Sequence, residues 1–260
     1  MIELENLVAG YRSFRLHPAS LRFDAGKLTA LIGPNGCGKS TLFKAVSGQL
    51  KADSGRIRVS GEDIARLSPR ALARRLALLA QDNEVPPGVT VADLVGYGRA
   101  PHQNLLGIGD AADRALVARA ITRMGLEELA GRKLATLSGG QRQRAFIAMV
   151  LAQDTPAMLF DEPTSWLDIR HQVEVLRLMR SLAREGRSCI TVLHDIPQAA
   201  RYADEIVVMN SGRVVAHGAP RQVLTAELIE QVYGLPVEIH PDPVTGTPVP
   251  VPLETVCPVQ

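Results

Sequence analysis

The sequence predicts an α/β fold built on a mostly parallel sheet. Short apolar runs at 28–32, 76–80, 157–160 and 188–193 have the length and composition of strands buried on both faces. Segments with helical spacing separate them. Polar residues cluster just past their ends, and in an open parallel sheet ligands bind beyond the carboxyl ends of the strands.

The 260 residues suffice for one large α/β domain or two small ones with a well-buried core. Charge is balanced, with 29 Lys+Arg against 27 Asp+Glu and a net charge of +2. No basic field therefore suggests nucleic acid as a partner, and an aromatic content of 4% argues against base-stacking platforms. Cys37, Cys189 and Cys257 lie far apart, with neither metal-ligand nor disulfide spacing, which suits a reducing compartment. No apolar run reaches the ~18 residues of a membrane span, and the acidic N-terminus lacks a signal-peptide pattern. A cytosolic chain that works at a membrane only through a partner is expected.

In order, residues 1–32 read as short strands with turns, Ile2-Glu3-Leu4-Glu5 alternating as a half-buried strand does. Tyr11 falls in a loop. Residues 41–46 have helical spacing. Gly55-Arg56-Ile57-Arg58-Val59-Ser60-Gly61 alternates between glycines and reads as a strand. Ser68-Pro69 opens a helix, Ser as cap and Pro at the first position. After Gln81 the composition turns polar, with Pro86-Pro87. Thr90-Val91-Ala92-Asp93 reads as a capping box. From there to about residue 150 nearly everything reads helical, so 85–150 is expected to be a helical subdomain inserted in the α/β core. The α/β pattern then resumes, with Asp168 capping a long helix to about Glu185. Residues 206–209 and 213–216 flank Asn210-Ser211-Gly212 as a hairpin, and a helix follows at 226–233. Residues 236–260 hold seven of the 17 prolines and are expected to form no regular element, lying along the surface as a Pro-rich tail.

Gly33-Pro34-Asn35-Gly36-Cys37-Gly38-Lys39-Ser40-Thr41 matches G-x-x-x-x-G-K-[ST] in full, between a predicted strand and a predicted helix. Glycines let such a loop turn its N–H groups inward, and the helix N-terminus adds a positive dipole end. Lys39 is expected to reach the β- and γ-phosphates of a nucleotide, and Ser40 to bind Mg²⁺. This makes the core a P-loop NTPase. Asp161, after four apolar residues, fits a Mg²⁺-holding acid. Its neighbour Glu162 points another way and is placed to polarise a water attacking the γ-phosphate. Gln81 and His194 end two further strands, so the set should converge on the loop from across the sequence. Leu137-Ser138-Gly139-Gly140-Gln141 reads as a serine-capped helix start suited to an anion. Being remote in sequence from the phosphate loop, it is expected to bind phosphate held by a second copy.

Gly33–Thr41, Leu137–Gln141 and Asp161–Asp168, in this order, resemble the ATP-binding subunits of ABC transporters over about residues 1–235. The resemblance implies a RecA-like core with an antiparallel β subdomain and the helical insertion. It also implies a head-to-tail homodimer with two ATP, integral-membrane permease subunits and, indirectly, a substrate-binding protein. The chain would then sit peripherally on the cytoplasmic face of the cell (inner) membrane. By position, Tyr11 corresponds to the aromatic stacked on adenine and Gln81 to the glutamine that senses Mg²⁺ and contacts the permease. Asp168 corresponds to the acid reaching the partner cassette, and His194 to the histidine on the γ-phosphate. Ser138, Gly139, Gly140 and Gln141 would complete the site from the partner. Trp166 replaces a usual small or polar residue and would lie at the dimer interface.

Gly98-Arg99-Ala100-Pro101-His102, the stretch around 161–172 and His194-Asp195-Ile196-Pro197-Gln198-Ala199-Ala200-Arg201-Tyr202-Ala203-Asp204 are similar to iron–siderophore, haem and cobalamin importers. Ile239-His240-Pro241-Asp242-Pro243-Val244-Thr245-Gly246 is most similar to the ferric-citrate and ferric-siderophore branch. Haem or cobalamin import is the alternative. A soluble non-transport ABC ATPase fits less well, since such proteins carry two cassettes or a long coiled coil.

Overall fold

The computed structural model describes residues 1–81, 85, 87–103 and 109–253. The Asp82–Glu84 part of the polar stretch, Pro86 and Cys257 lie outside the described residues.

The strands are β1 (Ile2–Val8), β2 (Ala19–Phe23), β3 (Leu28–Ile32), β4 (Ser54–Val59), β5 (Glu62–Asp63), β6 (Leu76–Leu79), β7 (Ala157–Asp161), β8 (Ser188–Val192), β9 (Glu205–Asn210), β10 (Arg213–Gly218), β11 (Val237–Pro241) and β12 (Pro248–Pro252). The helices are α1 (Lys39–Val46), α2 (Pro69–Ala73), α3 (Val91–Tyr97), α4 (Ala111–Arg123), α5 (Gly139–Gln153), α6 (Ile169–Arg184), α7 (Ile196–Tyr202), α8 (Pro220–Val223) and α9 (Ala226–Tyr233).

The central sheet runs β10-β9-β3-β8-β7-β6. From β9 to β6 every pairing is parallel, and β10 closes one edge as the antiparallel arm of a hairpin. β3, β7 and β8 are buried at all five positions, as unbroken apolar runs require. Successive side chains alternate between two cores. Leu28, Ala30, Ile32, Met158 and Phe160 join the core under α3–α7 and α9. Leu31, Leu159, Ile190 and Val192 join the opposite core, under α1 and the antiparallel sheet β2-β1-β4-β5.

Caps fall where the sequence places them at Ser68, Thr90, Ser138 and Asp168, and Asp110 adds one not expected from the sequence pattern. Thr90, Asp110 and Ser138 each form a reciprocal capping box with the residue three positions on, and Ser68 and Asp168 cap α2 and α6. The insertion contains α3, α4 and α5 but is less uniformly helical than expected: residues 98–103 turn, and 127–129 and 134–136 are single 3₁₀ turns.

The tail is a correction. Residues 237–252 form a regular two-stranded hairpin, not an irregular surface segment. The prolines permit it because three of them, Pro248, Pro250 and Pro252, occupy alternate positions of β12. Leu253 N donates to Pro236 O at 3.0 Å, so the odd-numbered residues of β12 turn their N–H groups toward β11. Each proline nitrogen then faces the outer edge, where no ladder bond is lost.

Candidate functional site

The loop after β3 turns back tightly enough to need glycine. Gly33 has φ +148°, and a Cβ there would stand 2.1 Å from the Met209 carbonyl oxygen. Gly38 has φ +109°, and a Cβ would meet Leu16 and Phe14 at 2.7 and 2.8 Å. The hairpin between β9 and β10 braces the loop, with Gly212 N donating to Cys37 O at 2.9 Å. α1 starts at Lys39, and its N-cap, Gly38, offers no side-chain acceptor. The first-turn donors are thus left to a ligand. Lys39 is 6% exposed, and its Nζ donates to Gly33 O at 2.8 Å and Pro34 O at 3.0 Å. These carbonyls hold the ammonium over the loop.

A cleft of about 600 Å³ opens above the loop, lined by Tyr11, Phe14, Asn35, Gly36, Gly38, Lys39, Ser40, Thr41, Gln81, Glu162 and His194. Strand register explains the convergence. Leu79 pairs with Phe160, so Gln81 and Glu162 lie two residues beyond paired positions. Asp161 pairs with Val192, which carries His194 to the same rim.

Asp161 ends β7, is 8% exposed, and its Oδ1 has no hydrogen-bond partner. Burial, then the Glu162 charge, pushes its carboxyl up to about 6 against the opposing pull of Lys39 and His194. An orphaned buried carboxylate oxygen at the end of β7 fits a hard cation with oxygen ligands, such as Mg²⁺. Glu162 has φ +49°, a left-handed backbone uncommon for this residue type. Both its oxygens are engaged: Oε1 lies 2.6 Å from His194 Nε2, and Oε2 accepts from Ser165 Oγ at 3.2 Å.

Tyr11 is half-exposed at the cleft mouth. Phe14, absent from the sequence-based set, lies against Gly38 and shares the cleft, and Tyr11 N donates to Phe14 O at 2.7 Å. The usable signal was a second aromatic three residues on in the same loop.

Ser138, Gly139, Gly140 and Gln141 do not line the cleft. They form the exposed start of α5, where Ser138 Oγ accepts from Gln141 N at 3.3 Å and Gln141 Oε1 accepts from Ser138 N at 3.1 Å. The loop between β7 and α6 packs beside it, Gln143 Nε2 donating to Pro163 O at 3.2 Å. Asp168 is also outside the cleft. It caps α6, and both its oxygens stand 2.9 Å from His171 Nδ1. Trp166, with φ +66°, is 89% exposed, and Ile169 is 77% exposed.

A family model described as "ABC transporter" matches residues 16–165. The ferric enterobactin transport ATP-binding protein of Escherichia coli (strain K12) is 46% identical over 256 residues, covering 98% of this chain and 94% of that protein. The hemin import ATP-binding protein of Nocardia farcinica (strain IFM 10152) is 46% identical over 222 residues, covering 85% and 76%. Among solved structures, a metal-chelate type ABC transporter in an inward-facing conformation superposes with a TM-score of 0.85 at 28% identity, covering 98% of each chain.

Proposed function

The chain belongs to the ABC transporter family as an ATP-binding, ATP-hydrolysing subunit, and from that premise we propose that it drives import of an iron(III)–siderophore complex of ferric-citrate type. The observation that carries the reading is the division of the site. One face holds a phosphate cleft lined by Glu162 and His194, with the buried Asp161 next to Glu162 in the chain; the signature at Ser138–Gln141 opens elsewhere, at the start of α5. Two copies placed head to tail would give each cleft the α5 N-terminus of its partner, with Asp168 and Trp166 on the same seam.

In this reading Lys39 and the loop N–H groups hold the β- and γ-phosphates, and Tyr11 stacks on adenine. Ser40 and Asp161, with Gln81, would hold Mg²⁺, which neutralises phosphate charge when bound. Glu162 orients and deprotonates the attacking water, and His194 holds it in place through Oε1. The Ser138 hydroxyl and the Gly139 and Gly140 N–H groups stabilise the γ-phosphate from the second chain. ATP binding closes the pair, hydrolysis opens it, and the motion passes to permease subunits. Among the described residues no helix is long and apolar enough to cross a membrane, which agrees with attachment through a permease at the cytoplasmic face.

The siderophore cargo rests on likeness to the enterobactin relative and on the tail motif at 239–246. Haem is the second reading, favoured by the hemin-import relative at equal identity over a shorter span. Reconstitution with the cognate permease in liposomes decides between them. Binding proteins loaded with ferric citrate, another ferric siderophore, haem or cobalamin are compared for stimulation of ATP hydrolysis. Selective stimulation by ferric citrate supports the cargo; stimulation by haem alone replaces it.

A further inference from the structure

The Gly98-Arg99-Ala100-Pro101-His102 segment lines no part of the cleft, yet it carries a buried ion pair. Arg99 is 7% exposed and Asp113 is 9% exposed. Arg99 Nε donates to Asp113 Oδ1 at 2.7 Å, while Nη1 donates to the carbonyls of Ala152 at 2.9 Å and Gln153 at 3.1 Å. Those carbonyls belong to the last residues of α5, where helix acceptors lack intrahelical partners and a cation is favoured. His102 Nε2 lies 3.0 Å from the same Gln153 oxygen. Gly98 lets the backbone ride against α5, since a Cβ there would stand 2.2 Å from Met149 O.

The other side of the joint belongs to the α/β core. Gln153 Nε2 donates to Ala73 O at 2.6 Å and to Leu76 O at 3.2 Å, at the end of α2 and the start of β6. Arg70 of α2 and Arg74, the residue just past it, donate to Pro101 O at 2.9 and 2.8 Å. The C-terminus of α5 is thus fastened to the foot of the strand whose far end leads to Gln81. The opposite end of α5 carries Ser138. A 15-residue helix is about 22 Å long, so a 5° rotation at its foot moves its tip by about 2 Å. Misplacement of a reacting group by about 1 Å costs rate by roughly 10²-fold. A buried ion pair is weak evidence for stability, and its best-attested use is to fix register.

We propose that Arg99 is a positioning residue for hydrolysis: it clamps the C-terminus of α5 to Asp113, next to the Gln153 side chain that ties the same end to β6, and so sets the angle at which α5 presents Ser138–Gln141 to nucleotide on a second copy. The same joint links that angle to the position of Gln81. This inference rests on the shared-site reading above.

The test uses the full chain with MgATP. Arg99→Met/Asp113→Asn removes the pair without leaving a charge uncompensated, and Arg99→Lys keeps the charge but cannot span a carboxylate and two carbonyls. For both variants, ATP affinity of the monomer stays within about twofold, while kcat falls by roughly tenfold or more. In a Glu162→Gln background the protein concentration for ATP-driven pairing rises by a similar factor. An unchanged kcat with a lowered melting temperature makes the cluster purely structural and overturns the proposal. So does a loss of ATP affinity equal to the loss of rate, or wild-type kcat in Arg99→Lys. Ser138→Arg separates the two levels: if it still hydrolyses ATP, the shared-site reading falls; if it does not and the Arg99 variants are normal, only this inference falls.

Discussion

Gly33–Thr41 and Leu137–Gln141 are both glycine-bearing turns that feed a helix N-terminus, but their chemistry is finished differently. At the first, the N-cap is Gly38, without a side-chain acceptor, and residues from three other strand ends close in around it. At the second, Ser138 and Gln141 satisfy each other across the first turn, and neither lines the cleft. One turn is the floor of a cleft and the other is an exposed edge. A helix start surrounded by its own chain binds phosphate; one that faces outward, capped but unaccompanied, is suited to complete a site elsewhere.

Glu162→Gln tests the enclosed half most severely. It keeps shape and ATP binding but removes the carboxylate proposed as the base, so hydrolysis should fall by about 10³-fold while ATP traps paired chains, as read by phosphate release and size-exclusion chromatography. Near-normal turnover would assign the base elsewhere. Ser138→Arg tests the exposed half. Hydrolysis should fall by about 10²-fold or more with monomer ATP affinity unchanged by calorimetry. Loss of affinity in the monomer would mean that the two turns act within one chain and would erase the contrast.

Asp161→Asn sharpens the comparison through stability. The Asp161 carboxyl is raised to about 6 in the folded chain, above its unfolded value, so ionising it opposes folding. The penalty is fully present above about pH 6 and is relieved as pH falls toward 4. Without nucleotide or Mg²⁺, the Asn variant should be more stable at pH 7.5 by about 2 kcal/mol, allowing for water in the open cleft, and the gap should close near pH 4. Melting curves against pH check it; a pH-independent gap would mean that packing, not charge, sets the difference. Tyr11→Ala should have the smallest effect, weakening ATP by roughly tenfold through lost stacking with little change in kcat. Unchanged affinity in titration would leave Phe14 as the aromatic that matters.

The parallel core was legible because doubly buried strands leave unbroken apolar runs, and because the spacing of the phosphate loop is itself a structural requirement. The caps at Ser68, Thr90, Ser138 and Asp168 were legible for the same local reason. What escaped was set by distance or by context. Phe14 acquires its place only when Gly38 folds against it. The left-handed Glu162 and its bond from Ser165 depend on a loop held between β7 and α5. The hairpin of β11 and β12 escaped because proline content argues against strands when counted, whereas the position of each proline decides the matter.

That hairpin has a consequence for association. Exposed sheet edges invite other chains to add strands, and natural proteins blunt such edges to suppress edge-to-edge growth. With Pro248, Pro250 and Pro252 all turned outward, the outer rim of β12 offers no N–H donor at those three positions. An incoming strand would find acceptors without donors and could not build a ladder. The C-terminal hairpin therefore ends the sheet it forms, leaving the molecule its broad faces for assembly and closing off fibre-like growth at this margin.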